Sequence, residues 1–320
     1  MRNNQVFVNL DVDESVFFLT ELEFVKSRSY DIQYGALLAR RLFPVDSSAS
    51  PGAETISYDT WDHLGAAKII HSYSNDIPNL EVNAIRTPRQ IYSQAISFGY
   101  SIQDIRAAQY ASKPLNQRKA DGCRRQMLSL ENKIAFHGND PVRGVPGIDI
   151  PGFINNPNVN VVTIPDGASN LTTWVSKTPD EIIFDVCLMA STIRDVTLGI
   201  EAPQTLLLPE LQYSQIACTP RSPTSDTTIL TFILTSNPWV SEIIPTFEMK
   251  DVAPESAAYD SEDVMILYDR NPEKLTLEIP QDIEFMSPQE SALYFTVPVH
   301  SRTAGVIIYY PKSIAQGNGI

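Results

Sequence analysis

Two strand-like runs with little apolar surface of their own limit most strongly how this chain can fold. Thr55–Trp61 is rich in β-branched and aromatic residues, and Ala67–Ser74 places Ile69, His71 and Tyr73 on one face. Asp62–Gly65 between them can turn the chain, so the pair reads as a long hairpin. A two-stranded ribbon alone is marginal in water. The ribbon must therefore lie on something, either another part of the chain or another subunit.

What surrounds the ribbon is an ordinary folded sequence of mixed α+β class with segregated elements. Apolar positions between residues 14 and 43 suggest short helices around Phe17–Phe24 and Tyr34–Leu42, and Pro44–Gly52 is a loop by composition. Gln90–Tyr100 is a further strand candidate. From Leu115 onward Cys123, Met127, Leu130 and Ile134 recur at helical spacing, which predicts one long helix to about Phe136, ended by Gly138. Gly122 inside this helix costs about 1 kcal/mol relative to alanine, which suggests close packing there. Residues 138–173 are rich in Gly, Pro and Asn and read as an irregular connection.

A second region opens at Thr178-Pro179-Asp180-Glu181, a capping box with proline at the first helical position; Ile182, Val186, Met189 and Ile193 form the buried stripe. Thr205–Leu208 reads as a short buried strand, followed by a small helix from Glu210 through Ile216. Asp226 is placed to cap a helix over Thr227–Leu234. Three strands end the chain: Leu275–Ile279, Leu293–His300, and Val306–Tyr310, the last an unbroken apolar run that both faces must cover.

The chemistry-bearing residues form no recognisable constellation. There is no nucleophile elbow, phosphate-binding loop or dinucleotide fingerprint. His63, His71, His137 and His300 show no metal-ligand spacing with one another or with the cysteines. His137 reads as a helix-end cation. Cys123, Cys187 and Cys218, odd in number and far apart, read as buried free thiols. No cofactor, no metal and no enzymatic activity are expected. No stretch approaches the roughly 20 apolar residues of a membrane span, and the amino terminus lacks the basic start and apolar core of a signal peptide.

The net charge is −14, yet Arg86–Arg143 holds ten Lys or Arg against four acids. An acidic body with one basic segment repels polyanions generally and can touch them locally. On charge alone, a solvated helix face paired with acidic neighbours is the better reading of the same segment.

The order of elements is more specific than any motif. An N-terminal arm, a long hairpin, a long helix ending in a Gly- and Asn/Pro-rich turn, a central α/β region and terminal strands resemble the tailed-bacteriophage major capsid proteins of the Hong Kong 97 fold. Arg41-Leu42-Phe43-Pro44-Val45, Phe98-Gly99-Tyr100-Ser101, Phe136-His137-Gly138-Asn139, Gly152–Pro157, Lys177–Glu181, Leu206–Pro209, Ser225–Leu230 and Thr303–Pro311 carry the resemblance, collinearly over about residues 40–315.

The resemblance implies an N-terminal arm at 1–46, an extended loop at 47–88, and a peripheral domain with its spine helix at 89–158. It further implies an axial domain at 159–274, with residues 275–320 returning strands to the peripheral domain and the axial core. It implies self-assembly as pentamers and hexamers into an icosahedral shell around double-stranded DNA, held without sequence preference. Portal, scaffold and decoration proteins are further candidate partners, and the virion, assembled in the host bacterial cytoplasm, is the implied location. Arg118, Lys119, Arg124 and Arg125 become candidate DNA-facing residues of the inner surface. Ile56, Tyr58, Trp61, Ile69 and Tyr73 become candidate inter-subunit contacts of the extended loop. Competing readings are an encapsulin-type nanocompartment shell of the same fold, a soluble enzyme with an unfamiliar site, and a tail-tube or sheath protein.

Overall fold

The computed structural model describes residues 35–69, 78–111, 115–224, 226–252 and 263–320. Residues 1–34, with the helix expected at Phe17–Phe24, lie outside the described residues.

A five-stranded mixed sheet organises one half of Leu37–Ile320. Its strands are β5 (Asn160–Thr163), β14 (Ala315–Asn318), β8 (Val264–Tyr268), β6 (Thr205–Leu208) and β7 (Glu242–Pro245), in that spatial order. β6 and β8 read as continuous apolar runs because both of their faces are covered. Leu206 and Leu208 of β6, with Met265 and Leu267 of β8, enter one core cluster; Leu207, Val264, Ile266 and Tyr268 enter the other. The period-two alternation of a strand thus divides one run between two cores. The first core is closed by α4 (Pro179–Val196), α5 (Glu210–Cys218) and α6 (Ile229–Ser236). Ile182, Val186, Met189 and Ile193 of α4 are all buried, as their spacing predicts. Glu181 accepts from the Thr178 backbone N–H at 2.7 Å and the Ala168 N–H at 2.8 Å, fixing the start of α4. The cap of α6 differs from expectation: Thr228, not Asp226, accepts from the Thr231 N–H at 3.3 Å.

Beneath the first of these helices lies a buried ion pair. Lys177 Nζ is 2.7 Å from Asp185 Oδ2 and donates to the Pro165 carbonyl at 2.8 Å, while Trp174 Nε1 donates to the same carboxylate oxygen at 3.0 Å. Burial pushes the Asp185 carboxyl up from its ordinary value, against the opposing pull of Lys177 and Trp174.

The second core is aromatic. Phe43 stacks against Phe136 and Phe153 at centroid distances of 5.3 and 4.8 Å, and Phe153 meets Tyr268 edge-on at 5.2 Å. It joins α1 (Ala39–Leu42), the end of α3 (Leu115–His137), and the three-stranded sheet of β1 (Val45–Asp46), β9 (Leu275–Glu278) and β13 (Gly305–Ile308). α1 is a single turn of the helix expected over Tyr34–Leu42. Asn132 of α3 fixes it, its Oδ1 accepting from the Leu38 and Ala39 N–H groups at 3.2 and 3.0 Å.

Along α3 the expected stripe faces a sheet. β4 (Tyr92–Ser101) pairs with β12 (Tyr294–Thr303) over ten residues, while β10 (Gln281–Phe285) and β11 (Gln289–Ser291) share the other edge of β12. Cys123 and Met127 pack on Val299, with Ile96, Phe98 and Ile283 around them. Gly122 departs from expectation: it sits on the solvent side, and a Cβ there would meet nothing within 4 Å. Of the cysteines, all free, Cys123 is buried, Cys187 half-buried and Cys218 exposed, so only the first matches the buried thiol expected. His137 is buried 2.8 Å from Glu248 Oε2, and that carboxylate's other oxygen accepts from Asn132.

Candidate assembly surfaces

β2 (Thr55–Leu64) pairs antiparallel with β3 (Glu81–Gln90), from Thr55 opposite Gln90 to Leu64 opposite Glu81. The hairpin is therefore present, but its returning strand is not Ala67–Ser74. Residues 65–69 carry no regular structure, and 70–77, with Tyr73, lie outside the described residues. The alternation around Ile69 and Tyr73 has the period of a strand without being one of the two paired here. The strand that does pair contains Pro88, opposite Ser57. Proline is tolerated in an edge strand because its missing N–H takes no bond from the ladder.

Among the described residues no other strand pairs with this ribbon. Cross-strand partners share a face, so Ile56, Tyr58, Leu64 and Ile85 lie on one side and Trp61, Val82 and Ala84 on the other. Trp61 is 62% exposed, Ile85 68% and Ile69 90%. Ile56 and Tyr58, nearer the root, are half-buried. The two strands are tied across the ladder by a bidentate Arg86–Asp59 pair at 2.7 and 2.9 Å, which holds the Asp59 carboxyl below its ordinary value.

The root is held firmly. The Ile91 N–H donates to the Glu54 carbonyl at 2.9 Å, Arg302 Nη1 donates to the Pro51 carbonyl, and the Tyr58 ring meets Tyr309 edge-on at 5.0 Å. Behind Tyr309 lies a buried acid. Glu278 Oε1 accepts from Thr276 Oγ1 at 2.6 Å and from the Tyr309 hydroxyl at 3.2 Å, with Asp46 beside it as its partner in the parallel β1–β9 ladder. Burial raises the Glu278 carboxyl above its ordinary value, Asp46 adding to the effect, and burial pushes Tyr309 up to about 12. A carboxyl whose folded value is raised loses stability as pH climbs from the usual carboxylate range through the folded value. Glu278→Gln is therefore expected to raise the neutral-pH Tm by a few °C, roughly 1 kcal/mol in a chain of this size. Melting curves across pH check this: the gain disappears below the ordinary carboxylate range.

The basic candidates divide. Arg118 and Arg125 stand seven residues apart on α3, opposite the stripe that faces the sheet; Arg118 is exposed and Arg125 half-buried. Arg124 is exposed on a flank, within the electrostatic reach of Asp282. Lys119 turns inward: its ammonium donates to the Gly99 carbonyl at 2.7 Å and lies 4.4 Å from the Tyr100 ring centre. That contact corrects its placement among the outward-facing cations. Glu131 is buried in a bidentate pair with Arg40 at 2.7 and 2.8 Å; Arg40 also reaches Asp282. Among the described residues no helix is long and apolar enough to cross a membrane, and no group of three or more His, Cys, Asp or Glu could hold a metal ion.

A family model described as major capsid protein matches residues 65–320. The chain belongs to the major capsid protein family. Its fold is that of tailed-phage shells. The capsid of Myoviridae phage XM1 aligns at a TM-score of 0.79 and 13% identity, covering 99% of this chain and 100% of that one. A chain of Mycobacterium phage Ogopogo aligns at 0.63 and 14% identity, covering 94% and 98%, and the capsid of a native GTA particle at 0.63 and 10%, covering 97% and 99%. No curated protein matches by sequence. The capsid subunit thus has the Hong Kong 97-like fold, and the encapsulin alternative is not favoured. The structure adds exposed apolar positions that the sequence reading missed, Val82 and Ile85 on the returning strand and Leu64 and Leu80 near the tip, with Tyr309 packed on Tyr58 at the root. Val82 and Ile85 fall on opposite faces of β3, so no period-two alternation marked them in the sequence.

Proposed function

We propose that copies of this chain assemble, as pentamers and hexamers, into the icosahedral head of a tailed phage, around double-stranded DNA, in the host cytoplasm. The observation that carries this reading is the ribbon: held at its root, it leaves Trp61 and Val82 on one face and Ile85 and Leu64 on the other exposed among the described residues. A second copy supplies the missing surface, and head-to-tail contacts of this kind close into rings. In this reading residues 1–46 are the arm, 47–88 the extended loop, 89–158 the peripheral domain, 159–274 the axial domain and 275–320 the returning strands. The five-stranded sheet supports the last two assignments, since β14 inserts between β5 and β8. Arg118, Arg124 and Arg125 form the inner face toward DNA, where phosphate contacts need no sequence preference.

Joining Thr55 to Gln90 through a two-residue turn tests the proposal, because those residues already face each other across the ladder. The shortened chain is expected to keep its Tm and to remain monomeric by light scattering, while the full chain gives shells by electron microscopy. Shells from the shortened chain would overturn the role of the ribbon. Replacing Arg118, Arg124 and Arg125 with glutamine should leave empty shells intact and lower their DNA retention; unchanged retention removes the DNA-facing assignment.

A further inference from the structure

The ribbon's base is held from two sides, and both holds run through one buried carboxyl. On one side lies β1, two residues long, with residues 47–54 leading from it into β2. It meets β9 through two backbone bonds: the Leu277 N–H donates to the Pro44 carbonyl at 2.7 Å and the Ile279 N–H to the Asp46 carbonyl at 2.9 Å. On the other side, the Tyr58 ring of β2 rests against Tyr309, whose hydroxyl is 3.2 Å from Glu278 Oε1 and 2.9 Å from Thr276 Oγ1. Glu278 stands on β9 between the two holds and is 2% exposed.

Its surroundings offer no countercharge. Asp46, its ladder partner on β1, projects to the same side and is itself an acid. Thr276 and Tyr309 bring hydroxyls, and Gly305, opposite on β13, brings no side chain. From β12, Thr303 gives its hydroxyl to the Glu278 backbone carbonyl, while the Arg302 guanidinium is bonded to the Pro51 carbonyl. Lys274, further along the same face of β9, is committed to Asp269 and Glu201. Among the described residues Glu278 forms no ion pair, and the neighbouring charge that acts on it is that of Asp46.

We propose that Glu278 is a proton-operated latch on the ribbon. Holding its proton, it lets β1 lie beside β9 and keeps Tyr309 against Tyr58. Giving that proton to solvent sets two carboxylates side by side and loosens the ribbon's base. The proposal rests on the reading of the ribbon as the assembling element and adds how its mount is regulated. Burial first, and Asp46 after it, raise the carboxyl against the pull of Thr276 and Tyr309. Its value with the base closed therefore exceeds its value in an opened state that water reaches. Below the ordinary carboxylate range neither state is ionised, and the latch is shut. Between that range and the closed-state value, opening becomes about tenfold more favourable with each pH unit, and above it the gain is complete. β1 is the part that yields, because segments held by few bonds and little buried apolar area open locally; Val45 is 47% exposed.

Hydrogen exchange on the purified, unassembled full chain tests the latch, read at the amides that close the base: Leu277, Ile279 and Ile91, the last donating to the Glu54 carbonyl. Corrected for intrinsic exchange, their opening is expected to rise as pH climbs from the ordinary carboxylate range and then to level off. Their protection should also lie well below that of the Phe153 amide in the aromatic core, which marks a local opening. Glu278→Gln should abolish the rise and keep the base shut throughout. Asp46→Asn, which removes one of the two causes, should shrink the rise and end it at lower pH. Base amides as protected as Phe153, or a rise that survives in Glu278→Gln, overturn the latch. If Glu278→Gln does not fold, Asp46→Asn decides alone, and a profile it leaves unmoved overturns the latch. Wild-type chains that never form shells overturn the assembly reading while the exchange profile still stands for the latch; shells without that profile overturn the latch only.

Discussion

Gly138→Ala is expected to destabilise the subunit by at least ~4 kcal/mol and to leave little soluble protein at 37 °C. Gly138 follows α3 at φ +50°, where a Cβ already costs ~1–2 kcal/mol. The larger cost is collision. A Cβ there would fall well inside 3.0 Å of backbone atoms of Ile150, Pro151 and Gly152, and backbone cannot swing aside as a flexible side chain would. That backbone is also bonded to the helix: the Phe153 and Ile154 N–H groups donate to the Ala135 and Phe136 carbonyls at 2.9 and 3.0 Å, and Asn139 N–H to the Ile150 carbonyl at 2.8 Å. Shifting it would leave helix-end carbonyls unsatisfied beside the Phe43–Phe136–Phe153 cluster.

Two other glycines separate the causes. Gly147, at φ +86° with nothing near its absent Cβ, isolates the dihedral cost, so Gly147→Ala should lose about 1–2 kcal/mol. Gly122, helical and open, should gain about 0.5–1 kcal/mol as alanine. Denaturant unfolding of the three variants gives the ranking. A Gly138→Ala cost near that of Gly147→Ala would show that the crossing backbone yields.

Features that depend on local spacing were legible in the sequence. The stripe from Cys123 to Ile134, the capping box at Thr178–Glu181 and the doubly covered run Thr205–Leu208 each follow from a period or a cap that one segment contains entirely. The resemblance rested on their order, and the family assignment supports it. The misses have a common origin in tertiary context. Ala67–Ser74 has a strand's alternation, but pairing is decided by a partner of matching register, and Glu81–Gln90 supplies it despite Pro88. Lys119 counts as a surface cation until Gly99 and Tyr100 are known to lie under it. Glu131 looks solvated until Arg40, more than ninety residues earlier, arrives opposite it. Gly122 shows the converse error, since a costly residue was taken to imply a tight neighbour where there is only solvent.

Removing one partner of the buried Lys177–Asp185 pair is expected to cost far more than removing both. Lys177→Met leaves Asp185, both side chains being only 1% exposed in the parent, with Trp174 Nε1 as its remaining close donor. The uncompensated carboxylate should cost about 3–5 kcal/mol, whereas Lys177→Met with Asp185→Leu should recover most of that loss. The pH dependence identifies the cause. Burial already raises the Asp185 carboxyl in the intact pair, and deleting the ammonium removes the strongest opposing influence. The folded single variant then takes up a proton that the unfolded chain does not, so its stability rises as pH falls from neutrality toward the ordinary carboxylate range. The double variant lacks the carboxyl and should not show that extra rise. Unfolding curves for both at neutral and mildly acidic pH discriminate the explanations. A Lys177→Met penalty independent of pH would assign the loss to packing and to the Pro165 carbonyl left without its donor, while a penalty that shrinks on acidification assigns it to a charge held without its counter-ion.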